Sequence, residues 1–233
     1  MIERPDNLTD LVSAAIRQRL VDASLPPGSS VSEAMLSKDL QVSKTPVREA
    51  LLQLRHIGLV EPTGRGLRVV VPTARTIRDA FEVRAGLEAA AARHAADRAT
   101  SEQKDRILEL AEASHAVAGD SEAFREADTA FHLAIASSSG NAMLHKAVED
   151  SVVLTQVLRQ RDVHLERDLR PDGREHVGIA RALRSSDGAT AAERLSGHTL
   201  RIMDQLLQAF ALEAETETAT ATGLRPTGLR SLV

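Results

Sequence analysis

Residues Ser32 to Val70 read SEAMLSKDLQVSKTPVREALLQLRHIGLVEPTGRGLRVV. The pattern is helix, short turn, helix, then two brief strands joined at a Gly-Arg-Gly tip, and it predicts a winged helix-turn-helix. Ser30-Val-Ser-Glu33 fits a capping box that opens the first helix, with Met35, Leu36 and Leu40 as its apolar stripe. Gln41-Val-Ser43 is short enough to hold the next helix at a steep angle. Ser43 or Thr45 can cap that second helix, and Pro46 falls in its first turn, where a missing N–H costs nothing. Val47, Leu51 and Leu54 then face inward and leave Lys44, Thr45 and Arg48 on the exposed N-terminal end. That end of a recognition helix meets base edges, and its free N–H groups suit phosphate.

A small helical core with a hairpin and no ligand would share this outline. Charge favours the DNA duplex. Gly58 to Glu61 and Gly64 to Val71 read as a hairpin wing with Arg65 and Arg68 at its tip and edge. From Lys44 to Arg68 the basic residues are Lys44, Arg48, Arg55, Arg65 and Arg68 against Glu49 and Glu61, whereas the whole chain carries −4. A basic patch on an acidic chain is the footprint of a phosphate-binding face.

At these residues the sequence resembles the GntR family of bacterial transcription regulators. Ser43-Lys-Thr-Pro-Val-Arg-Glu-Ala-Leu51 is similar to the family's S-R-T-P-V-R-E-A-L signature, and Leu25-Pro-Pro-Gly-Ser with Ser32-Glu33 to its lead-in. The resemblance implies DNA contacts from Glu33, Ser43, Lys44, Thr45, Arg48, Arg65 and Gly66, with the Arg65-Gly66 tip in the minor groove. Two positions depart from the pattern. Lys44 stands where arginine is usual and loses the bidentate fork that reads guanine. Gln41 stands where glycine is usual, so a positive φ there would carry strain.

The 233 residues allow two domains. Hydrophobic residues make up 42% and aromatics only 2%, so the core must be built from Ala, Leu, Val and Ile, which suits close-packed helices. Cysteine is absent, which removes disulfides and thiolate metal sites. With no signal-peptide pattern and no long apolar run, the expectation is a soluble cytoplasmic protein that makes no membrane contact.

The fold class expected is mainly α. A winged helix-turn-helix spans residues 1–71 and a linker 72–75. An antiparallel bundle of six or seven helices follows over 76–212, then a disordered tail over 213–233. Helices are expected over Thr76–Ala99, Thr100–Ala118, Ser121–Ser137, Asn141–Val163, Glu175–Ser185 and Ala189–Leu212, with Pro171-Asp-Gly173 as a break.

Within the bundle Asp128 and His132 lie one turn apart on one helix face. His176 and His198 sit on later helices that can converge on them. One carboxylate and three imidazoles are a ligand set for zinc first, and also for nickel, manganese or iron. Spacing alone also fits ordinary core or surface residues. Here too there is a resemblance. Phe81 to Glu88, Asp128 to His132 with Ser139-Gly-Asn141, Glu175 to Leu183, and His198 are similar to the FCD effector domain of FadR-type regulators, nearest the VanR-like branch. It implies that Asp128, His132, His176 and His198 bind a divalent cation.

Arg84 on an Ala/Leu-rich helix needs an anionic partner. Either Glu88 on the next turn supplies it, or Arg84 binds the carboxylate of a small organic-acid effector. Asn141 can orient that effector or cap a helix. Glu126, Glu175, His94, His115, His145 and His164 are read as surface positions. The functional expectation is a repressor acting as a homodimer on a pseudo-palindromic operator, with the effector bound near the metal. The alternatives are a DNA-binding protein whose metal is purely structural and, from another class, a metal-dependent hydrolase, for which no general-base motif is present.

Overall fold

The computed structural model describes residues 8–64, 66–160 and 168–221, with side chains to residue 212. Arg65, His164 and residues 222–233 therefore lie outside the described residues. Two parts follow one another. The first holds α1 (Leu8–Val21), β1 (Ser30–Val31), α2 (Glu33–Leu40), α3 (Lys44–His56), β2 (Val60–Thr63) and β3 (Gly66–Val69). The second holds α4 (Ala74–Arg98), α5 (Ser101–Ala116), α6 (Ser121–Ser138), α7 (Ala142–Leu158), α8 (Arg170–Arg184) and α9 (Gly188–Ala221). The winged helix-turn-helix and the six-helix bundle both form, among the described residues.

The wing contains a strand that the sequence pattern does not reveal. β1 pairs antiparallel with β3, giving the order β1-β3-β2. Two residues are too short for a period to show. Because Ser30 is in that strand, Ser32 and not Ser30 caps α2, its hydroxyl accepting from Met35 N at 3.1 Å. At the other end of α2, Gln41 closes the helix with φ 56° and ψ 40°. The left-handed strain foreseen for a residue without glycine's freedom is present there.

Three bundle boundaries depart from the pattern. Thr73 and Thr76 form a reciprocal capping box, so α4 starts at Ala74 and the connection ends before residue 75. Pro171 and Gly173 do not break the chain, since both lie in the first turns of α8, where proline needs no donor. A Cβ on Gly173 would come 2.6 Å from the backbone of His115, so glycine is what lets α8 close on α5. Residue 213 is likewise no boundary, because it lies within a helix. α9 runs to Ala221 because Glu213–Ala221 has no glycine or proline to stop it.

α4 is the spine of the bundle and packs against α9, α7 and α6, while α5 packs on α8 and α6. Its Ala92, Ala95 and Ala96 let neighbours approach closely around Phe131, Ile179, Leu183 and Leu195. The two parts do not hang on a free tether. Ile16, Leu20, Leu54 and Leu59 of the winged part share one buried cluster with Ile77 and Phe81 of α4, Val157 and Leu158 of α7, and Ile202, Met203 and Leu206 of α9. Arg17 pairs with Asp150 at 2.7 Å, and Gln160 donates to the carbonyl of Leu20. Val70 and Pro72 of the connection are themselves buried.

Candidate functional site

The exposed tip of α3 carries Lys44, Thr45 and Arg48 above buried Pro46, Val47, Leu51 and Leu54. Ser43 holds the N-cap position, but its hydroxyl caps nothing. The first-turn amides of Lys44 and Thr45 thus keep their donors for an anion such as phosphate. Arg48 is already oriented, because Glu33 at the start of α2 accepts from its Nε at 2.8 Å and its Nη2 at 3.0 Å. That grip lowers the Glu33 carboxyl and raises the Arg48 guanidinium. Sequence reading places both residues on the nucleic-acid face without revealing the ion pair. On the wing, Arg68 is held across the ladder by Glu61 at 2.7 Å, while Gly66 takes φ 148°, which glycine alone adopts without strain.

The second site lies inside the bundle. Asp128 and His132 on α6, His176 on α8 and His198 on α9 are all buried, and one ligand atom from each lies within 4.8 Å of the others. Nε2 of His176 is 3.2 Å from Nε2 of His198 and 3.4 Å from Oδ1 of Asp128, and Nε2 of His132 is 3.6 Å from that oxygen. Phe131 stacks on the His176 ring with centroids 4.4 Å apart, forming an apolar wall.

The far side of each ring decides what the near side can do. Ser114 donates its hydroxyl proton to the carbonyl of Ala111, so it accepts from Nδ1–H of His176 at 2.9 Å. The carboxylate of Glu175 takes Nδ1–H of His198 at 2.7 Å. Both Nε2 atoms are then bare lone pairs facing each other at 3.2 Å, and Nε2 of His132 is buried with no hydrogen-bond partner. The bare nitrogens of His176 and His198, the Asp128 oxygen and the unpartnered Nε2 of His132, which gives up a proton to bind, converge as a donor set that fits a cation. The all N/O donor set fits zinc, nickel, manganese or iron.

Burial lowers the His176 ring and holds His198 down to about 4, in spite of Asp128 and Glu175. Burial also opposes a charge on His132, but Glu88, assisted by Asp128, outweighs it and pushes that ring up to about 9. Asp128 is held well below the usual carboxylate range, its burial outweighed by His132 and His176. A metal can bind only neutral imidazole, so loading at pH 7.5 is expected to expel about one proton, which calorimetry in buffers of different ionisation enthalpy measures. The release should fade as pH rises through about 9, where His132 gives up its proton without a metal. In the metal-free protein the raised His132 stabilises the fold fully below pH 6.5, and that contribution is lost as pH rises through about 9.

Arg84 is buried and engaged, donating from Nε to Glu88 at 2.8 Å and from Nη1 to Thr155 of α7 at 3.0 Å. Asn141 is exposed at the N-cap of α7, where its carbonyl accepts from Met143 and Leu144 at 3.1 Å, so capping is the role it fills. Glu175 is a correction to the sequence reading. It is no idle surface acid but bridges His198 and Arg201, the latter at 2.6 Å, and these bonds outweigh burial to hold it at about 2. Glu126 and His115 are exposed as expected, and His94 and His145 are half-buried.

Comparison with known proteins agrees in both parts. Residues 8–69 match the family model described as bacterial regulatory proteins, gntR family, and residues 79–201 match that of the FCD domain. The Nta operon transcriptional regulator of Aminobacter aminovorans is 30% identical over 187 residues, 78% of this chain and 86% of the relative. The HTH-type transcriptional repressor NanR of Enterobacter sp. (strain 638) is 27% identical over 214 residues, 82% of each chain. The solved structure of E. coli McbR/YncC shares the fold with a TM-score of 0.74 at 23% identity, covering 90% of this chain and all of that one. No helix among the described residues is long and apolar enough to cross a membrane.

Proposed function

We propose, for a chain that belongs to the GntR family of bacterial DNA-binding transcription regulators and carries an FCD domain, that it is a repressor governed by a small organic acid. Its relatives are regulators, not enzymes, and the hydrolase alternative falls away. The metal would be held by Asp128, His132, His176 and His198, and its charge would draw a carboxylate to the centre. The facing, unprotonated Nε2 atoms of His176 and His198 carry this reading. Two copies acting as a homodimer in the cytoplasm would place their α3 helices in successive major grooves of a pseudo-palindromic operator. Lys44, Thr45 and Arg48, with Ser43, Glu33 and the Arg65-Gly66 tip, would make the contacts.

Transmission has a physical route. α4 carries Arg84 and Glu88 beside the centre and Ile77 and Phe81 in the core shared with the winged part. α9 likewise carries His198 and, one turn on, Ile202 and Met203. An acid that binds one arrangement of these helices better than another shifts DNA affinity, and DNA shifts acid affinity by the same factor. A relative named as a repressor supports repression as the sense of the regulation.

Arg48→Ala tests the DNA face. Operator binding should weaken by about 1–3 kcal/mol in a fluorescence-anisotropy titration at fixed salt, with metal uptake intact. Unchanged operator affinity would make α3 the wrong recognition element. A purely structural metal is the second reading, favoured by one observation: Glu88 and Thr155 already occupy Arg84.

A further inference from the structure

Resting on the metal reading above, we infer that Glu88 is a positioning residue of the centre: its carboxylate orients His132 and ties the helices that carry the ligands to one another. Glu88 comes from α4, which supplies none of the four ligands. Its Oε1 lies 2.8 Å from Nδ1 of His132, an ion-pair approach whose angle falls short of an aligned hydrogen bond. The same oxygen accepts from Arg84 Nε at 2.8 Å. Its Oε2 accepts from Thr199 at 2.6 Å, and Thr199 follows His198 directly on α9. Through Arg84 the chain of contacts reaches Thr155 on α7 at 3.0 Å.

One carboxylate therefore joins α4, α6 and α9, and α7 at one remove. The other two ligand histidines have simpler supports. His176 rests on the neutral hydroxyl of Ser114, and His198 on Glu175, a residue 38% exposed. Glu88 is 1% exposed, so its two oxygens have no water to fall back on. An acceptor on Nδ1 keeps a proton on that nitrogen, so that Nε2 is the one that gives up its proton to a metal, and it stops the ring from turning away. Outer partners of this kind raise a ligand's basicity and hold its direction, and losing one costs about 10–100-fold in metal affinity.

The rival role is plainer. Arg84 is a buried cation, and Glu88 could serve only to neutralise it. A pair of variants separates the two roles. Zn2+ affinity is measured by competition with a chromophoric chelator on the wild type, Glu88→Gln and the double variant Arg84→Met/Glu88→Gln, each checked for folding by its metal-free thermal midpoint. The double variant removes the cation that Glu88→Gln alone would strand, and it decides the matter if the single variant does not fold.

Both variants should bind Zn2+ about 10–100-fold more weakly than the wild type. At saturating Co2+ the visible absorption of the double variant should also differ from wild type, since a displaced imidazole changes the ligand field. Wild-type affinity and an unchanged Co2+ spectrum in the double variant would reduce Glu88 to a counter-charge and overturn the inference. Failure of the wild type itself to take up Zn2+ is a different result, and it overturns the metal reading beneath.

Discussion

Stripping the metal with a chelator is expected to destabilise the protein by about 4 kcal/mol when the free ion had stood a thousandfold above its dissociation constant. For a chain of this size that is a fall in thermal midpoint of roughly 8–16 °C. The reason is the composition of the centre. Asp128, His132, His176 and His198 are each 5% exposed or less, so without a cation the bundle must hold the opposed lone pairs of His176 and His198 away from water. Only the folded chain brings α6, α8 and α9 together, so binding adds directly to folding stability. A midpoint that ignores both chelator and added Zn2+ would remove the cation from the account.

The same measurement ranks the readings of the bundle. Organic acids that raise the midpoint only in the metal-loaded protein place the effector against the metal. An equal rise with and without metal places it elsewhere, and no rise with any acid favours a structural ion. An acid that competes for Arg84 must displace Glu88 and Thr155, so Arg84→Met should abolish the acid-dependent shift if Arg84 receives the carboxylate.

Phe81→Ala is expected to cost about 3–5 kcal/mol, read as a lower urea midpoint. Phe81 is wholly buried in the cluster that runs from Leu20, Leu54 and Leu59 of the winged part to Val157 and Ile202 of the bundle. Because this core is continuous, the two parts should unfold in a single transition in the wild type. Hollowing the core at Phe81 should bring a separate early transition for the winged part and weaken the response of DNA binding to the effector. A change below about 1 kcal/mol would mean that the core collapses around the cavity at little cost.

The elements that local chemistry specifies were legible before any coordinates. The helix expected from Thr100 opens there with Thr100 as its cap, Val47, Leu51 and Leu54 point inward from the recognition helix, and Gln41 takes the left-handed turn. Where reading failed, the local signal was ambiguous or too short. Pro171 and Gly173 look like a break and instead open a helix, because the same residues serve both ends of a loop. β1 has only two residues and owes its existence to β3.

The amino-acid order alone determined a winged helix followed by a bundle, the basic tip of α3, and four residues of the right type to hold a cation, since periodicity, caps and side-chain chemistry act over a turn or two. Tertiary structure decided which atoms face which. It turned the ring nitrogens inward, set Glu88 behind His132, gave Arg48 to Glu33, drew Glu175 in from the surface, and sealed the winged part onto α4, α7 and α9. Those contacts join residues far apart in the chain, and only the packing of helices in three dimensions sets their distances and their protons.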